Sequence, residues 1–396
     1  MPKYNNWAPW HPLKSVMLGD CYPTSFYNDV ANSKIRSALQ RITEETQEDL
    51  ENYRKVLVDY GCEVIRPYVD PNDSISNYMQ NGKVLGKQGV PRSPLQPRDA
   101  QVVLGSTMYY TMPDHPGIKQ VLDAYNQNWI DLTEIKPEDR RIVRMEKTYF
   151  DVLKGADWLE YEDYIKPDYF DRVEPHIAEE VLSHHIRSSL PGASITVVGK
   201  DLYIDVLGTR LFDFQEKRLT ADYPVRIFKL ELGGHNDGCF HVMKPGAIIS
   251  IKEIQTYNET FPGWDVCYLP EVGWGQVLGF LKMKEKVRGK WWVPGEEDND
   301  EFTHFVETWL NDWVGYVEES VFDVNVLCLD DKHVVVNNYN EEAFAFFKKH
   351  KIEPIIVPFR HRYFWDGGLH CITLDLYREG VMEDYFPFRD AKTQLP

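Results

Sequence analysis

Six cysteines, at positions 21, 62, 239, 267, 328 and 371, are spread through 396 residues with no CxxC pair and no regular spacing. That usage argues against a disulfide framework and against a zinc cluster. Long apolar runs are also missing: no stretch approaches the roughly 20 residues needed to span a bilayer. Positive charge is scarce, 44 Lys and Arg against 62 Asp and Glu, so the formal charge is −18. An excess of that sign disfavours nonspecific attraction to nucleic acid or to an anionic membrane. No glycine-rich phosphate loop occurs, and "MPKYNNWAPWHPLK" has no basic segment leading into an apolar run of the secretory kind. Together these absences predict a soluble, cytoplasmic protein with reduced thiols.

What is present is a globular composition, 43% apolar and 13% aromatic. Four segments share one design, a β-rich run, a tight reversal and a second β-rich run. They are "AQVVLGSTMYYTM" (100–112), "SITVVGKDLYIDV" (194–206), "CFHVMKPGAIISI" (239–251) and "VNVLCLDDKHVVVN" (324–337). Gly105-Ser106, Gly199-Lys200, Lys244-Pro245-Gly246 and Asp330-Asp331 mark the reversals. Helical periodicity separates them, over 31–61 (stopping at Gly61), 171–190 and 340–352, and a further strand follows over 353–359. The pattern predicts one α/β domain over 1–396, built from diverged copies of a module. The acidic run "PGEEDNDE" (294–301) reads as an exposed loop within it.

Three places carry candidate chemistry. In "DGGLHCITLDL" (366–376), Gly367 and Gly368 clear space ahead of Cys371. Cys371 is either a small buried hydrophobe or a nucleophile that needs a base, because thiolate is the attacking species. His370 is its neighbour, but successive side chains on a strand point to opposite faces, so His235 is the better base. In "GGHNDGCF" (233–240), His235 and Asp237 lie two apart and share a face if the segment is extended, with glycines removing bulk around them. Such a pair is either a surface feature or part of a site. In "QPRDAQVVLG" (96–105), Arg98 and Asp99 stand at the entrance of a hairpin, either as a local ion pair or cap, or with the carboxylate placed to receive a cation.

These motifs, with "YNNWAPWHPLKSVMLGD" (4–20), "VNVLCLDDKHVVVNN" and "GGLHCITLDLYREG", occur in the order found in glycine amidinotransferases of the guanidino-group-modifying (pentein) superfamily. The resemblance runs from about residue 4 to about residue 380, with distinct insertions over 260–310. It implies a five-bladed α/β-propeller of ββαβ modules with pseudo-fivefold symmetry. It also implies Cys371 as nucleophile, His235 as general acid/base, and Asp99 and Asp237 as ligands of a donor guanidinium. The expected activity is transfer of the amidino group of L-arginine, or a similar guanidine, to a primary amine. The alternatives are an arginine deiminase or dihydrolase, if water takes the acceptor's place, or a catalytically silent binding module.

The chain departs from the family at three points. Aligned on "GKDLY" (199–203), Ser194 falls where the family has an aspartate supporting the catalytic histidine, and either Asp201 or Asp205 substitutes or a neutral hydroxyl serves. Lys252 is the best match for a carboxylate-binding arginine, and Glu318 and Glu319 fall where the family has serines. Candidate substrate-binding positions are therefore Asp99, Asp237, Arg98, Ser194, Lys252 and Gly368. This chemistry calls for no cofactor and no metal. The expected partners are small molecules, arginine and an amine, and the resemblance implies a homodimer.

Overall fold

A computed structural model describes residues 3–80, 83–84, 90–112, 115–136, 190–206, 209–232, 235–251, 257–269, 295–296, 299–310, 313 and 323–390. The helix expected over 171–190 falls almost wholly outside these residues, as do Lys252, Glu318 and Glu319.

The hairpins form where the reversals were read. Gln101–Leu104 (β5) pairs antiparallel with Thr107–Tyr110 (β6), and Ile195–Val198 (β8) with Asp201–Asp205 (β9). At Gly105 and Gly199 φ is +56° and +61°, backbone that residues with a Cβ seldom adopt. Phe240–Lys244 (β11) and Ala247–Ile251 (β12) make a third hairpin, Leu327–Cys328 (β14) and His333–Val336 (β15) a fourth. Each is completed by a short third strand, parallel to the second: Trp129–Asp131 (β7), Arg226–Leu230 (β10), Asp265–Leu269 (β13) and Glu353–Ile356 (β16). A helix lies between second and third strand each time, at Pro116–Tyr125, Asp213–Ala221, Tyr257–Thr260 and Glu341–Lys349. A parallel neighbour needs such a crossover.

The fifth three-stranded sheet draws on distant parts of the chain. Leu13–Leu18 (β1) pairs antiparallel with Thr373–Arg378 (β17) and parallel with Glu63–Ile65 (β2). Between β1 and β2 runs Ser33–Asp59, N-capped by Asn32, whose side chain accepts from the Lys34 and Ile35 amides. Its apolar residues Ile35, Leu39, Ile42, Leu50 and Leu57 pack on one face into a cluster with Tyr22, Phe26, Trp313 and Trp365. Among the described residues five sheets thus repeat one strand order, with a two-residue pair (Met79–Gln80 and Lys83–Val84) beside them. The acidic run is not simply an exposed loop: Asn299 caps a helix over Asp300–Trp309, and Glu296 pairs with Arg41 at 2.8 Å. Asp300 and Glu301 sit in the first turn of that helix, where their charge is favoured.

Burial, helped at several positions by neighbouring guanidiniums, lowers the pKa of His11, His241, His361 and His370 from the ordinary 6.5. An unfolded chain therefore takes up protons near pH 6.5 that the native chain refuses, so stability rises with pH through that window. We expect thermal melting to move to lower temperature as the pH falls below about 6.5. A melting temperature that is flat between neutral pH and pH 5, followed by circular dichroism, would contradict this.

Candidate active site

Three short turns precede strands and converge. Pro97–Ala100 forms one helical turn with Pro97 at its start, where a missing N–H costs nothing. Gly192–Ser194 forms another, pressed so close that a Cβ at Gly192 would lie 2.5 Å from the Arg98 and Gln101 carbonyl oxygens. Asn236–Cys239 is the third, fastened by Asn236 Nδ2, which donates to Thr196 Oγ1 and to the Tyr203 carbonyl, each at 3.0 Å. The extended run expected through His235 and Asp237 is therefore broken. His235 is the extended residue before the turn and Asp237 lies inside it, so the two side chains meet different partners. His235 Nδ1 lies 3.8 Å from Asp99 Oδ1. Asp237 Oδ2 lies 2.8 Å from His370 Nδ1 and 3.5 Å from Cys371 Sγ.

Cys371 is buried, 1% exposed, and it is not on a strand. Residues 369–372 form a turn and β17 begins only at Thr373. This corrects the expectation that His370 points away from Cys371, because in the turn both side chains reach the same carboxylate oxygen. The two glycines explain the approach. A Cβ at Gly367 would sit 2.4 Å from Gln96 Nε2, and one at Gly368 would sit 2.5 Å from Asn325 Oδ1. Gln96 Nε2 donates to the Trp365 and Asp366 carbonyls at 2.7 and 2.8 Å. Asn325 Oδ1 accepts from the backbone amides of His370 and Cys371 at 2.9 and 3.1 Å, while its Nδ2 faces Cys371 Sγ at 3.0 Å.

Behind the turn lies a buried ion chain. Arg98 Nε donates to the His370 carbonyl and Arg98 Nη2 to Asp375 Oδ1, both at 2.9 Å. Asp375 Oδ2 accepts from Arg378 Nε, and Arg378 also binds the His11 and Cys328 carbonyls. Burial opposes the charge on Asp375, but the Arg378 and Arg98 guanidiniums override it and hold the carboxyl well below the usual range. Burial likewise opposes the charge on Asp237; the His370 hydrogen bond more than offsets it and brings the carboxyl down to about 2. A carboxylate only accepts, so His370 carries its proton on Nδ1 and donates to Asp237. Burial, then the Arg98 charge, lowers the pKa of His370 from its ordinary value against the pull of Asp237, and the ring of His241 meets it edge-on at 4.9 Å.

His235 is thus brought to Asp99 and Cys371 to Asp237, the two pairs being joined by the turn that carries both His235 and Asp237. Arg98 is turned inward onto Asp375 and the His370 backbone. Ser194 is fully buried, its Oγ without a hydrogen-bond partner among the described residues. Gly368 serves by what it lacks. Reading the sequence missed Asn325, Gln96 and Asp375, and the only signal was their place next to motifs already noted. Among the described residues no group of His, Cys, Asp and Glu is arranged to hold a metal ion, and no helix is long and apolar enough to cross a membrane.

No family model matches the chain. It is similar to the L-arginine:L-lysine amidinotransferase of Pseudomonas savastanoi pv. phaseolicola, 22% identical over 392 residues, 95% of this chain and 90% of that protein. It is also 22% identical to the mitochondrial glycine amidinotransferase of Xenopus laevis over 346 residues, 86% of this chain and 71% of that one. Among solved structures, its fold is shared with an amidinotransferase of the saxitoxin biosynthetic pathway from Microseira wollei. That pair has a TM-score of 0.60 and 17% identity, and covers 97% of this chain and all of the other. The inosamine-phosphate amidinotransferase of Streptomyces griseus gives 0.59 and 16%, over 96% and 99% of the two chains. The resemblance to amidinotransferases read from the motifs therefore extends over nearly the whole chain.

We expect Gly368→Ala to displace Asn325 and cost about 1–3 kcal/mol of stability, as overpacking does. Chemical denaturation measures this, and an unchanged midpoint would mean that the turn has room for a methyl group.

Proposed function

We propose that this chain is an amidinotransferase that moves the amidino group of L-arginine, or a similar guanidine, to a primary amine through a covalent amidino-Cys371. The observation that carries the reading is the placement of Cys371 Sγ 3.5 Å from a buried, ionised Asp237 whose Oδ1 has no hydrogen-bond partner among the described residues. A buried carboxylate oxygen left without a donor is costly, and a guanidinium N–H is a donor of the right charge and shape for it. Similarity to named amidinotransferases along nearly the whole chain supports the same reading.

A guanidinium is poorly electrophilic because its charge is spread over three nitrogens. In this reading Asp237 and Asp99 hold its N–H groups in plane and keep the positive charge near the central carbon. The Cys371 thiolate adds to that carbon and forms a C–S bond. The C–N bond to the departing amine then breaks, and protonated His235 supplies its proton. The acceptor amine loses a proton to His235, adds to the same carbon and expels the thiolate. Asp99, near His235 Nδ1, also supplies a negative charge beside the imidazolium, a task that neutral Ser194 cannot perform. Arg98 acts behind the site, holding the turn through the His370 carbonyl; Lys252 remains assigned to the carboxylate end of the donor.

The five repeated sheets support a single domain whose ββαβ modules form the blades of a closed pentein propeller, with pseudo-fivefold symmetry. A homodimer and a cytoplasmic setting complete the proposal. None of the six cysteines is in a disulfide, in keeping with a reducing compartment.

Incubation with arginine, with and without amines such as glycine and lysine, tests the reaction. Ornithine should accumulate with an acceptor and stop at one equivalent without it, while Cys371 gains the mass of an amidino group. Citrulline or ammonia released without acceptor would make the enzyme a hydrolase, and no adduct on Cys371 would remove the reading altogether. Cys371→Ser should lose about a thousandfold or more in turnover, as nucleophile replacements do. Asp99→Asn should chiefly raise KM for arginine, and an unchanged KM would contradict its role.

A further inference from the structure

We propose that Asn325 is the group that holds the Cys371 sulfur as a thiolate, both for attack and for departure; this rests on the amidinotransferase reading above. Its side-chain orientation is fixed by chemistry. The two backbone amides of the turn, from His370 and Cys371, point at one side-chain atom at 2.9 and 3.1 Å, so that atom is the carbonyl oxygen. The NH2 group therefore faces the other way. Its two hydrogens have two acceptors, the Asp237 carbonyl at 3.3 Å and Cys371 Sγ at 3.0 Å.

That contact opposes its surroundings. The Asp237 carboxylate, 3.5 Å from the same sulfur, favours the neutral thiol by repelling negative charge. A donor N–H inside a dry site favours the thiolate, and a hydrogen bond to an ionised partner is among the stronger kinds. Asn325 is 1% exposed, so water does not compete for its amide. Its position is tied to the reacting turn itself: the oxygen that binds the Cys371 amide is one amide group away from the nitrogen that meets its sulfur. Gly368, with no Cβ, leaves the space that this amide occupies. When the second amine displaces Cys371, the sulfur leaves with the electron pair of the C–S bond, and the same N–H receives the returning charge.

The test is the pH dependence of Cys371 alkylation by iodoacetamide, read on the Cys371 peptide by mass spectrometry with no arginine or amine present. Thiol state is thus measured independently of the reaction catalysed, and failure of transfer with the alkylation behaviour intact would remove the transferase reading alone. In the native chain the half-maximal pH should lie below that of the same cysteine in the urea-unfolded chain. Asn325→Ala removes the donor, and the half-maximal pH should rise by ~1–2 units, the equivalent of one charge-assisted hydrogen bond. Asn325→Asp keeps an acceptor for both turn amides but supplies no donor and turns a carboxylate oxygen onto the sulfur, so the half-maximal pH should rise at least as far, with a lower melting temperature. An unchanged half-maximal pH in either folded variant would overturn the proposal. So would a native chain whose Cys371 titrates no lower than in urea, a result that needs no variant to fold.

Discussion

The candidate site depends on one buried carboxylate, Asp375. It accepts from Arg98 on one oxygen and from Arg378 on the other, and Arg98 in turn binds the His370 carbonyl. The turn that carries Asp99 is thereby fastened to the strand that follows Cys371, across 277 residues of sequence. Removing one partner from such a buried pair costs about 3–5 kcal/mol, because the remaining charge has no solvent to turn to. The ion chain is therefore less a source of net stability than a constraint on which arrangement the segments can adopt.

Much of this arrangement was legible in the sequence, and the exceptions have physical reasons. The four hairpins announced themselves through Gly or Asp at each reversal between Val- and Ile-rich runs. Of their third strands only Glu353–Ile356 was legible; Trp129–Asp131 is three residues long, too short for alternation to register. The pairing of β1 with β17 could not be read at all from local pattern, since its partners are at opposite ends of the described chain.

The site divides in the same way. Cys371, His235, Asp237 and Asp99 stood out because glycines or strand starts flank residues of reactive type. Asn325 lay in a quoted hairpin, yet an asparagine at the head of a strand reads as a turn residue. Only its approach to a sulfur 46 residues later sets it apart. His370 was misjudged because strand alternation was carried three residues too far, into a turn where neighbours are free to converge. Ser194 remains the clearest departure from the resembled family, and the structure puts it in a wholly buried position on a turn that packs against the other two.

The first sheet carries a consequence for how the molecule comes into being. β1 is flanked by β2, which arrives after one helix, and by β17, which lies several hundred residues downstream. During synthesis β1 therefore waits with one edge bare, and a bare edge is a template for pairing with other chains. The strand that finally covers it begins two residues after Cys371, so sealing that edge and seating the Cys371 turn are one event. A nascent chain short of that strand keeps its bare edge and has not yet set the Cys371 turn against Asp237 and Asn325.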